Sequence, residues 1–201
     1  MRLYSMPSSG NSYKVRLLLA LLGRSCETLD VEYQSEALDR AKAEGLLPFG
    51  KAPVLELDDG RLLPESNAIL CWLGEGTAFL PEDAFARAEM LAWMFWEQNQ
   101  HEGVIAVRAA LLTYPHRRAQ ATPERLAELL ERGHELLAVM ERHLQDRDWL
   151  AGDAVSLADI CLYAYTHSAG SRGGFDLGRF PALNRWLARI AALPGYKGLE
   201  A

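Results

Sequence analysis

The sequence predicts an α/β N-terminal domain of order β-α-β-α-β-β-α, followed by an all-α C-terminal helical domain. Three observations carry this prediction. Up to about residue 78, short strand-like pieces alternate with helical ones. An apolar run, an Asp-Gly turn and a second apolar run over 52–64 are the signature of a β-hairpin. Beyond about residue 83 the apolar positions keep a helical spacing and no strand pattern remains. The boundary falls in Glu75 to Asp83, where Gly76, Thr77 and Pro81 form a short linker, so the domains are 1–78 and 84–201.

Met1 to Met6 alternates as a short strand and stops at Pro7. Ser8-Ser9-Gly10-Asn11-Ser12 is a turn cluster of helix-capping residue types, and Val15 to Leu22 continues as a helix closed by Gly23. Cys26 to Tyr33 alternates as a second strand, which places Cys26 in the core. Glu36 to Glu44 is a polar helix ended by Gly45. Ala52 to Leu57 and Arg61 to Pro64 pair across Asp58-Asp59-Gly60. Ser66 then caps a helix over Asn67 to Leu73. The first two strands flank a crossover helix and should be parallel, and the last two antiparallel.

In the second half, helices are predicted over Ala84–Leu112, Thr122–Gln145, Ser156–Ser168 and Ala182–Leu193. Thr122-Pro123 joins an N-cap hydroxyl to a first-turn proline. Ser156 and Asp159 have capping-box spacing, which makes Asp159 structural.

Composition narrows the function. Apolar residues make up 49% and charged residues 24% of 201 residues, which excludes a disordered chain or a disulfide-framework miniprotein. A formal charge of −6 argues against nucleic acid as partner, because a nucleic-acid surface calls for a basic surplus. The longest apolar run, Leu17 to Leu22, is far short of a membrane span. The N-terminus shows no charged region followed by an apolar one, and three dispersed cysteines suit a reducing compartment. The expectation is a cytoplasmic protein without a membrane partner. Cys26, Cys71 and Cys161 have no metal-site spacing, so no metal is expected.

LYSMPSSGNSYKVRLLLALLG (3–23), GKAPVLELDDGRLLPESNAIL (50–70), WLAGDAVSLADICL (149–162) and FPALNRWLARIAALPG (180–195), in that order, resemble the glutathione S-transferase superfamily, in particular bacterial-type members with a serine/asparagine active-site loop. The resemblance covers nearly the whole chain. It implies a thioredoxin-like N-terminal domain, a homodimer, and glutathione as co-substrate with a small electrophile as second substrate. The aromatic helix from Trp93 to His101 offers an apolar surface for such a dimer.

The resemblance assigns roles residue by residue. Ser66 opens a helix, where free N–H groups attract a carboxylate, and Glu65 beside it suits the ammonium of a γ-glutamyl group. Ala52-Pro53 falls where the family keeps a cis proline that turns backbone toward the cysteinyl part of glutathione. Lys51 lies next to it, in reach of the glycyl carboxylate. Ser9 falls where serine-type members keep the hydroxyl that activates the thiol, and Asn11 where some bacterial members keep an amide donor. Ser8 and Ser12 remain substitutes one register to either side. Asn99, His101 and Arg108 are candidates for the second-substrate pocket. No cysteine occupies the loop, which disfavours a cysteine mechanism. The resemblance also leaves room for a glutathione-dependent disulfide or peroxide reductase, and for a non-catalytic interaction module of the same fold.

Overall fold

A computed structural model of the chain describes residues 1–199. It divides into two units. The first is Met1–Leu80 with residues 191–199, the second Pro81–Ile190.

The first unit is built on a four-stranded sheet of order β2-β1-β3-β4, formed by β1 (Arg2–Ser5), β2 (Glu27–Asp30), β3 (Val54–Glu56) and β4 (Leu62–Pro64). β1 and β2 are parallel, as the intervening helix requires, and the other pairs are antiparallel. The strands are shorter than the alternating segments, because pairing ends where the loops turn away. All four residues of the edge strand β2 are exposed, and Cys26 is half-buried before it rather than in the core. An edge strand has one free side, so alternation alone overstated its burial.

Helix α1 (Gly10–Leu21) starts earlier than its apolar run, since the polar cluster forms its first turn. Helix α2 (Glu36–Ala43) is capped by Ser35, whose hydroxyl accepts from Leu38 N–H at 3.1 Å. Helix α3 (Ser66–Gly74) corrects the expected cap. Ser66 is the first helical residue, and Glu65 holds the cap position with φ 71° and no side-chain capping bond. Leu3, Val15, Leu17, Leu18, Leu55, Ile69, Leu70 and Leu73 are fully buried, and Val54 packs in a cluster with Tyr4, Val31, Leu38, Ala41 and Leu47. The end of the chain returns to this unit. Tyr13 donates to the Lys197 carbonyl at 2.7 Å, and a Cβ on Gly195 would lie 2.8 Å from the Ala20 carbonyl oxygen.

In the second unit the run predicted as one helix over 84–112 stays helical but changes pitch. Helix α4 (Ala84–Trp96) passes into a π-helical segment, Glu97–Ala106, and then α5 (Val107–Thr113). Val104 and Ile105 still face inward, so the apolar pattern conceals the wider winding. Helix α6 (Pro123–Leu144) starts at the Thr122 cap, and α7 (Leu157–Thr166) has the full Ser156–Asp159 capping box. The short α8 (Ala169–Gly173), closed by left-handed Gly174, is not visible in the sequence pattern. Helix α9 (Pro181–Ala191) is capped from a distance, with Glu141 accepting from Ala182 and Leu183 N–H at 3.1 and 2.8 Å. Asp159 takes four hydrogen bonds, from Leu150 N–H, Ser156 N–H, Ser156 Oγ and Trp186 Nε1. Burial raises its carboxyl against the pull of those donors. No described helix is long and apolar enough to cross a membrane.

Candidate active site

Strand register assembles the site. Tyr4 lies opposite Val54, and Val54 opposite Pro64. The end of β1, the start of β3 and the end of β4 therefore meet at one end of the sheet. The loop leading to Ser9, the Ala52-Pro53 pair and the Glu65-Ser66 pair all emerge there. The Ala52–Pro53 bond is cis, as the resemblance implied.

The loop after β1 is tied down residue by residue. Ser8 donates from N–H and hydroxyl to the Glu32 carboxylate at 3.1 and 2.9 Å. Arg16 reaches back from α1 to Ser5 Oγ at 2.7 Å and to the Pro7 carbonyl at 3.0 Å. Ser12 is buried and accepts from Met6 N–H at 3.0 Å. Ser9 is the N-cap of α1, where its hydroxyl accepts from Ser12 N–H at 3.4 Å. Among the described residues Ser9 Oγ donates to none.

One turn into α1 the site closes on itself. Ser66 Oγ donates to Asn11 Oδ1 at 3.1 Å, joining the first turns of α1 and α3. Helix N-termini carry partial positive charge and unpaired N–H groups, so their meeting point favours an anion. The first backbone bond of α3 is Ile69 N–H to the Glu65 carbonyl at 2.9 Å, which leaves the N–H groups of residues 66–68 ahead of the helical ladder. Glu65 is exposed with a left-handed φ, a strained conformation for a residue with a Cβ and one that clusters at functional sites. Lys51 is exposed, Ala52 half-buried and Pro53 buried.

Ser9, Asn11, Ala52, Pro53, Glu65 and Ser66 thus share one end of the first unit. Two residues absent from the sequence reading join them. Lys14, a fully buried lysine, reaches Asn67 Oδ1 at 3.4 Å.

The three residues read as a second-substrate pocket belong to the helical unit. Asn99 is exposed and donates to the Phe95 carbonyl at 2.9 Å. His101 is fully buried, with Nε2 3.0 Å from Thr166 Oγ1 and its ring 5.7 Å from Trp96. The Thr166 hydroxyl also lies 2.8 Å from the Leu162 carbonyl. Arg108 is buried, donates to the Leu126 carbonyl at 3.1 Å and covers the Phe175 ring; burial pulls its guanidinium pKa down.

Burial pushes the thiols of Cys26 and Cys71 up, away from the thiolate form. Among the described residues no cluster of three or more His, Cys, Asp or Glu could hold a metal ion.

Comparison with known proteins fits this geometry. Residues 3–78 match the glutathione S-transferase N-terminal domain, and residues 104–194 match the C-terminal domain. The chain belongs to the glutathione S-transferase superfamily. It is 42% identical to a possible glutathione S-transferase from Rhodopseudomonas palustris, with a TM-score of 0.93 over 100% of this chain and 98% of the other. It is 32% identical to glutathione S-transferase 3 of Zea mays, over 98% of this chain and 91% of that protein. It is 28% identical to the disulfide-bond oxidoreductase YfcG of Escherichia coli (strain K12), over 96% of this chain and 90% of the relative. The superfamily therefore accounts for the thioredoxin-like sheet and the helical second half. Its members near this chain include both transferases and an oxidoreductase.

Proposed function

We propose that this protein is a glutathione transferase that activates the thiol of bound glutathione for attack on a small electrophile. The observation that carries the reading is the Ser9 hydroxyl, which caps α1 and gives its proton to no described residue. Beside it stand the Asn11–Ser66 bond and the open first turn of α3. In this reading the Ser66 hydroxyl turns from Asn11 Oδ1 to the γ-glutamyl carboxylate, which the α3 N–H groups also take, and Glu65 takes the ammonium. Ala52 and Pro53 align the cysteinyl backbone, and Lys51 meets the glycyl carboxylate.

The chemistry is a change of acidity. A free thiol has a pKa near ~8.5 and is mostly protonated at neutral pH. Lowering it by about two units takes roughly 2.7 kcal/mol of preference for the thiolate. One hydrogen bond to a charged acceptor contributes about 1.5–3 kcal/mol, and the α1 terminus adds to it. Ser9, supported by Asn11, is therefore sufficient in magnitude. The thiolate then forms a carbon–sulfur bond while the leaving group departs with the bonding electrons. No residue of the chain becomes covalently attached.

A second reading, supported by similarity to the Escherichia coli oxidoreductase, directs the same thiolate at a disulfide sulfur. A mixed disulfide forms and a thiolate leaves. Rates against a panel of carbon electrophiles and disulfides, with and without glutathione, separate the two. We further propose a homodimer, since Phe95, Phe85 and Trp72 expose apolar surface that a monomer would leave to water.

A further inference from the structure

Lys14 occupies an unusual place. It is fully buried on α1, one turn beyond Asn11, and its ammonium lies 3.4 Å from the Oδ1 of Asn67, in the first turn of α3. Asn67 directly follows Ser66, whose hydroxyl bonds to Asn11. The first two turns of α1 and the first turn of α3 are therefore clasped twice, by Asn11–Ser66 and by Lys14–Asn67. A buried ammonium is costly to keep, and apolar packing alone would be served as well by leucine or methionine. Its charge has the same sign as the helix termini it joins, and a second clasp fixes the direction in which the α3 N–H groups point.

We infer that Lys14 is a positioning residue that determines affinity for the α-carboxylate of glutathione's γ-glutamyl group. It acts through Asn67 and the first turn of α3. This rests on the reading of α3's start as the site of that carboxylate.

The test compares two ligands by calorimetry on the full chain: glutathione, and its analogue lacking the α-carboxylate. The wild type should bind glutathione at least tenfold more tightly than the analogue. Lys14→Met should weaken glutathione binding by about tenfold, the size of one lost hydrogen bond of ordinary strength. It should leave affinity for the analogue unchanged, and Lys14→Arg should restore most of the loss. Asn67→Ala, which keeps the lysine, should move in the same direction and serves if Lys14→Met does not fold. A purely structural Lys14 would lower the melting temperature without changing the ratio between the two ligands. An unchanged ratio in both variants overturns the inference while the proposed function stands. A wild type that binds neither ligand overturns both.

Discussion

Ser66 Oγ donates to Asn11 Oδ1 at 3.1 Å across 55 residues of sequence. The bond joins two helix starts, each of which would attract an anion alone. Replacing Ser66 by Ala removes this link and a donor at the carboxylate site. Glutathione affinity measured by calorimetry should fall by about 1–3 kcal/mol, as expected for a hydrogen bond to a charged group.

Asp159 gathers four donors in the interior of the helical unit. Asp159→Ala leaves them buried without an acceptor, and should destabilise the chain by about 3–5 kcal/mol. Denaturant unfolding will show this as a lower midpoint. Glutathione affinity of the remaining folded protein should not change, because the residue belongs to the fold and not to the site.

Burial depresses the pKa of both His143 and His134 below the ordinary histidine value. A depressed histidine favours the folded state when neutral. Its contribution is present above the unfolded value of about 6.5 and is lost as pH falls through that value toward the folded one. Melting temperatures should drop between about pH 7 and pH 5, and His143→Gln should flatten that slope.

The exposed side chains of Phe95, Phe85 and Trp72 predict self-association. Sedimentation at micromolar concentration should give twice the chain mass. Phe95→Glu should shift the distribution toward monomer if the helix bearing it forms the contact.

Much of this was legible because local chemistry and tertiary role agreed. The Asp59-Gly60 turn, the Thr122-Pro123 start and the Ser156–Asp159 box each specify one backbone geometry, and each appears in the structure. The failures have physical causes. Ser66 has a cap's residue type, but the chain turns one residue earlier, at Glu65 with positive φ, which no side-chain pattern announces. Lys14 was hidden for another reason: beside Tyr13 and Val15 it looks like a solvated charge, and only the fold shows that it is buried.

The central claim is that Ser9 gives its proton's hydrogen bond to the sulfur. The direct measurement is the thiolate absorbance of bound glutathione as a function of pH, in wild type, Ser9→Ala, Asn11→Ala and Ser12→Ala. The wild type should show a thiol pKa about two units below the free value of ~8.5. Ser9→Ala should raise it by about one to two units with glutathione affinity nearly unchanged, and Asn11→Ala should raise it less. Ser12→Ala shifting the curve while Ser9→Ala does not would give the role to the Ser12 hydroxyl and contradict the assignment to Ser9. Titrations that coincide in all four proteins would contradict thiolate stabilisation by this loop altogether.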